Sequence, residues 1–471
     1  MKQAVVILHG MGEQIPMQTL NSFVRSVWTT DTALVNPGKP DPNTGGRRKG
    51  NVSWAKPDPR NNSTELRRIT TERDEAGNYT DFYEYYWAHL MHGTTWEHVQ
   101  TWIKDLLLRN PSTRVPGRVF HAWVVLWIIA LVVVGLTLWG LWPKAEAPKP
   151  WLAWLSALGG MAVAAFVSDV LIKRFGDVAR YVKALPPNVA RRQEIRQTGV
   201  DLLDRLIKSG EYDRIVVVAH SLGSIVAYDI LAMLFARYNT QLDDGDPDEM
   251  QQPERHALEE MIRAAAAGGA LDLDAFQDQQ AKAQDEARAQ GAGWIVTDFV
   301  TLGAPLAHAE FLMAESREDM RARQESRLLP TCPPVLEYDG TTKLAHFTYA
   351  GGRDRDPQDR RLPHHAALFA YTRWTNLYSP EKAILTGDLI SGPVAEVFGL
   401  KTDTGVLRGI RDIAVLPALD AAGKVAPGHR RSFFSHNNYW ALDKGTETGR
   451  AAVPHHIAEL RKAVRILQPR G

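Results

Sequence analysis

The chain has 471 residues, enough for a large core that carries insertions. Apolar residues make up 44% and charged residues 23%, an ordinary globular composition, and a formal net charge of +1 leaves no basic surplus of the kind that nucleic-acid binding needs. The single cysteine, Cys332, excludes an internal disulfide, and no Cys/His cluster has zinc-site spacing, so no metal or cofactor is implied.

Residues 3–8 are near-continuously apolar, the pattern of a parallel strand buried on both faces, and His9-Gly10-Met11-Gly12 follows at once. A cleavable signal is not expected, because it would destroy that strand. Residues 16–30 read as a helix, 36–63 as a Pro-, Gly- and Asn-rich surface loop, Leu66–Thr71 and Phe82–Ala88 as strands, and Thr94–Leu108 as a helix.

Ala122 to Trp142 then carries no charge and is long enough to span a bilayer core as a helix. A second uncharged run, Trp151 to Val167, follows a Pro-rich turn. Trp139, Trp142, Trp151 and Trp154 flank that turn, and Gly160 and Ala164 would let two helices approach closely. Residues 119–172 therefore read as a transmembrane hairpin. Lys104, Arg109, Arg114 and Arg118 before it, and Lys173, Arg174, Arg180 and Lys183 after it, place both flanks in the cytoplasm by the positive-inside rule. The expected location is the inner membrane, with both termini cytoplasmic.

Beyond the hairpin, Asp177–Ser209 reads as helical with a break at Pro186-Pro187, Arg214–Ala219 as a strand and Leu222–Tyr238 as a helix. Residues 240–292 are acidic and rich in Gln and Ala, and are read as a helical insertion, either a cap or a solvated excursion. Trp294–Leu302, Thr372–Tyr378 and Arg431–Phe434 are strand candidates, residues 315–365 are irregular, and His455–Leu467 is a helix. Alternating strands and helices imply an α/β fold with a mostly parallel sheet covered on both faces. The expected division is 1–118, 173–239 and 293–471 as core, interrupted by the hairpin and by the 240–292 insertion.

Val216-Val217-Val218-Ala219-His220-Ser221-Leu222-Gly223 has the order strand, tight turn, helix. A serine at such a turn is exposed for attack, and the helix N-terminus beyond it stabilises negative charge. Together with Val5 to Gln14 and with Thr301-Leu302-Gly303-Ala304-Pro305, this stretch resembles the α/β-hydrolase superfamily, and within it bacterial lipase- and esterase-like proteins. Ala219 stands where that family more often has Gly. The resemblance covers both ends of the chain but neither the hairpin nor residues 240–292.

It implies Ser221 as nucleophile, and an oxyanion hole from the Leu222 N–H together with Met11 or Gly10. The family's order of Ser, acid, His points to His436 as base, with His364, His365, His455 and His456 as competitors. Asp388 is the first choice of acid, with Glu381 as its rival nearer the strand end. The expected activity is that of a membrane-anchored serine hydrolase cleaving carboxylic esters, with lipid or long-chain acyl esters as substrates. The alternatives are a thioesterase or acyltransferase using the same residues, and a non-catalytic membrane scaffold. Glu84, Asp354, Asp356 and Asp169 are read as structural or interfacial groups.

Overall fold

The computed structural model describes residues 1–11, 15–34, 39–91 apart from 43 and 49, parts of 107–135, 181–241 apart from 183–185, 251–350, 356–415 apart from 357, 381–386 and 389, then 435–442 and 453–467. Most of the expected hairpin, the Asp354 and Asp169 positions, the Glu381 alternative and the Arg431–Phe434 strand candidate lie outside the described residues. Among the described residues no helix is long and apolar enough to cross a membrane.

Eight strands form the central sheet: β1 (Lys2–Leu8), β2 (Ser53–Pro57), β3 (Arg67–Thr71), β4 (Tyr79–Tyr85), β5 (Arg214–His220), β6 (Val296–Leu302), β7 (Arg373–Tyr378) and β8 (Arg411–Ala414). Their spatial order is β8-β7-β6-β5-β1-β4-β3-β2. The pairings from β4 through β1, β5, β6 and β7 to β8 are parallel, whereas β3 runs antiparallel to both β4 and β2.

β1 and β5 alternate their side chains between two apolar layers, which is why both read as unbroken hydrophobic runs. Ala4, Val6, Leu8, Val217 and Ala219 face one core with helices α2 (Pro186–Lys208) and α3 (Leu222–Tyr238). Val5, Ile7, Val216 and Val218 face the other, with α1 (Gln18–Val24) and the C-terminal α6 (His455–Val464).

Pro186-Pro187, where the sequence predicts a break, begins α2, and the missing proline N–H groups would have had no intrahelical acceptor there. Two sequence expectations need correction. The 36–63 loop contains β2, an edge strand whose exposed Trp54, Ala55, Lys56 and Pro57 give no apolar alternation to read. β8 is a further strand, short and only partly buried.

Residues 251–292 supply α4 (Pro253–Ala266) and α5 (Leu273–Ala289). On α5, Gln284 donates to the Trp294 and Val296 carbonyls, Gln280 to Phe369 and Gln277 to Trp374. Those carbonyls lie at the start of β6 and β7, so α5 packs at the end of the sheet opposite Ser221. Glu259 on α4 is fully buried and accepts from Arg255 Nη1 at 2.8 Å, His346 Nδ1 at 2.6 Å and Thr348 Oγ1 at 2.7 Å, which ties α4 to residues 344–350. Of the two readings of this insertion, a cap over the serine does not match where α5 packs.

Candidate active site

Parallel strands end together, and the loops that leave β1, β5, β6 and β7 at one edge of the sheet meet around Ser221. Ser221 follows β5 directly and holds a φ of 52° and ψ of −132°, a conformation that L residues rarely adopt. Its N–H is held by the Leu302 carbonyl at 3.0 Å, and its own carbonyl accepts from Ser224 N at 2.9 Å and Ser224 Oγ at 2.7 Å. The turn is therefore fixed from both sides, with Leu222 opening α3 beyond it.

Close approach explains the glycines around this serine. A Cβ on Gly223 would lie 2.3 Å from the His9 carbonyl oxygen, and one on Gly10 would lie 2.9 Å from Ser221 Cβ. The loop after β1 thus lies against the turn after β5, which brings Gly10 beside the serine.

His436 sits in a single helical turn, Ser435–Asn437. Its Nε2 is 2.7 Å from Ser221 Oγ and its Nδ1 is 2.9 Å from Asp388 Oδ2. Asp388 is buried, and its Oδ1 also accepts from the Ile390 N–H at 3.0 Å. Burial acts to raise its pKa, but the hydrogen bond and charge of His436 and the hydrogen bond from Tyr439 outweigh it, and the carboxyl is held below its ordinary value. These three residues, far apart in sequence, form a continuous hydrogen-bonded relay from carboxylate to imidazole to hydroxyl.

The competing histidines are engaged elsewhere. His364 contacts the Val335 carbonyl at 2.9 Å, His365 the Arg327 carbonyl at 3.2 Å and His456 the Ala441 carbonyl at 3.0 Å, while His455 is 3.9 Å from Glu459. Among the described residues no group of three His, Cys, Asp or Glu side chains is arranged to hold a metal ion.

Three residues at the site escaped the sequence reading. His9 is buried and stacks on Trp87, with ring centroids 5.1 Å apart. Its Nε2 accepts the N–H groups of Trp87 at 3.1 Å and Ala88 at 3.3 Å, so its Nδ1 carries the proton and donates to the Gly10 carbonyl at 2.7 Å. In a trans peptide the carbonyl and the next N–H point in opposite directions. Pinning the Gly10 carbonyl toward His9 therefore fixes the Met11 N–H on the other side of that peptide. Burial pushes the His9 pKa down to about 4, keeping the ring in the neutral form this geometry requires.

His220, next to the serine, plays a parallel part. Its Nε2 contacts the His436 carbonyl at 2.8 Å and so donates to it, joining the β5 turn to the loop that carries His436. Burial, followed by the proximity of His436, pushes its pKa down to about 3. Tyr439, fully buried, places its hydroxyl 2.8 Å from Asp388 Oδ2.

Glu84, at the end of β4, is buried as well. Its Oε2 accepts the Met17 N–H at 2.7 Å while Oε1 has no partner among the described residues, and burial raises its pKa to about 7. Asp356 orders a local turn by accepting the Gln358 N–H at 2.9 Å. Compared with protein-family models, curated proteins and solved structures, the chain matches none of them.

Proposed function

We propose that this protein is a serine hydrolase of the α/β-hydrolase type that cleaves carboxylic esters through an acyl-enzyme on Ser221. The observation that carries the reading is the hydrogen-bonded relay from Asp388 through His436 to Ser221 Oγ, with contacts of 2.9 and 2.7 Å. His436 Nε2 takes the hydroxyl proton as Oγ attacks the acyl carbon. The oxyanion is met by the Leu222 N–H at the start of α3 and by the Met11 or Gly10 N–H of the pinned loop. His436 then passes the proton to the leaving alkoxide, and water, deprotonated by the same ring, releases the acid and restores Ser221. Asp388 stays ionised and holds the ring in the tautomer that leaves Nε2 free to accept.

The substrates proposed are lipid or long-chain acyl esters, on the grounds that residues 119–172 attach the protein to the cytoplasmic face of a membrane. Two observations support that attachment. The run from Ala122 to Trp142 is uncharged. Phe120, Ile128, Leu131 and Val132 are exposed apolar side chains, while Trp123 packs against the core that α2 and α3 share.

An active-site-directed fluorophosphonate tests the reading. The wild type in liposomes should be labelled, and Ser221→Ala should not; a wild type that resists labelling would favour a scaffold. Lipid products from membranes treated with each form test the substrate, and an identical product profile would sink the lipase assignment. Faster turnover of acyl thioesters than of oxygen esters would move the activity to the thioesterase class.

A further inference from the structure

The Asp388 carboxylate sits at the bottom of a hydrogen-bond chain that points toward it. The Tyr439 hydroxyl accepts the Ser379 N–H at 3.0 Å and meets Ser391 Oγ at 3.0 Å. A phenol has one proton, and here a carboxylate oxygen lies 2.8 Å away to receive it. The tyrosine therefore donates to Asp388 Oδ2, and Ser391 donates to the tyrosine. Donors that are themselves accepting are strengthened, so the backbone at the end of β7 and the Ser391 hydroxyl both act on the carboxylate through one phenol.

The fit is specific to this ring. Gly303, with a φ of 59°, would bring a Cβ to within 2.5 Å of Tyr439 Cε2, 3.1 Å of Asp388 Oδ2 and 3.2 Å of His436 Nδ1. The glycine after β6 is thus what allows tyrosine, carboxylate and imidazole to share one corner.

We propose that Tyr439 is a positioning residue of the Ser221 site: by donating to the same carboxylate oxygen that holds His436 Nδ1, it fixes that oxygen's place and limits how strongly the carboxylate stabilises the imidazolium. This rests on the serine-hydrolase reading above. Among the described residues, the titratable groups that face the pair are His436 and Tyr439 around Asp388, and Asp388 and His220 around His436. His220 is buried and kept neutral, so the shared oxygen is where charge is balanced.

Removing the phenol proton leaves the carboxylate more basic and the imidazolium more favoured, and the neutral base is then reached only at higher pH. Tyr439→Phe should move the acid limb of the kcat/KM profile for a p-nitrophenyl ester upward by roughly half a pH unit or more, and lower kcat about tenfold with KM nearly constant. Ser391→Ala should move the limb in the same direction by less. A lost packing contact alone would lower activity without moving the limb. The proposal is overturned if wild type is labelled and turns over while Tyr439→Phe keeps the wild-type limb. Should Tyr439→Phe fail to fold, an unmoved limb in Ser391→Ala overturns it instead. A wild type that neither labels nor hydrolyses any ester removes the serine-hydrolase reading itself, a separate result.

Discussion

At the scale of single residues, the His436 ring and the Tyr439 hydroxyl meet on one carboxylate oxygen, Asp388 Oδ2. Ser221 announces itself because a strand, a small-residue turn and a helix adjoin it, all within a dozen positions. His436 and Asp388 followed from chain order, and the geometry joins both to Ser221. His9 and His220 stood inside quoted motifs, but nothing local tells that His9 meets Trp87 and Ala88, or that His220 meets the His436 carbonyl. Tyr439 was visible only as a neighbour of His436 in sequence. Its role depends on Asp388, Ser379 and Ser391, which the chain brings in from other loops. The His9 contacts carry a prediction of their own. His9→Ala frees the Gly10 carbonyl and leaves two N–H groups without their acceptor, so kcat should fall roughly 100-fold, while KM changes little because the buried ring acts only through the Gly10 peptide. Steady-state kinetics on a soluble ester decide the matter, and an unchanged kcat would dismiss His9 as a spectator.

At the scale of elements, legibility tracked burial. β1, β5 and β6 are central strands covered on both faces, and their apolar residues mark them within two residues. β2 and β8 sit at the two edges, where there is little or no apolar pattern to read. The 240–292 segment was readable as helical from its composition, but its packing was not, since the contacts that seat α5 are made by glutamines to distant carbonyls. Glu259 holds the neighbouring helix through a fully buried cluster. Glu259→Ala would remove the buried carboxylate that Arg255, His346 and Thr348 share, and should cost roughly 3–5 kcal/mol in urea denaturation. Because this cluster lies away from the serine, fluorophosphonate labelling of the folded fraction should stay at the wild-type rate. A matching loss of labelling rate would mean that α4 and α5 reach the site after all.

At the scale of the whole molecule, buried neutral histidines set the acid limit of stability. Burial lowers the pKa of His9 to about 4, His220 to about 3 and His364 to about 4, against an ordinary value of 6.5. Below pH 6.5 the unfolded chain binds protons that the folded chain refuses. Their contribution is therefore fully present above 6.5 and is lost as the pH falls toward 4. Each histidine should add about 1.4 kcal/mol per pH unit to that decline. Denaturation midpoints measured from pH 7 to 4.5 should fall steadily, and His364→Asn, which is remote from the serine, should flatten the slope. A flat profile across that range would mean that these rings already carry protons in the folded state.

The place of β1 in the sheet also governs the order in which the molecule can be assembled. The first strand in the chain lies in the middle of the sheet, with Gln3 paired to Thr80 on one side and to Arg214 on the other. During synthesis it can pair with β4 soon after it emerges, but its other edge stays open until β5 is made. A ribosome-bound chain that ends before Arg214 therefore presents a long apolar strand edge with no partner. Its sheet can only be completed by a late, long-range closure, and the serine is delivered in that same step. Nascent chains of increasing length should thus remain protease-sensitive around β1 until β5 has cleared the exit tunnel, and a chaperone that shields strand edges would have its longest task over that interval.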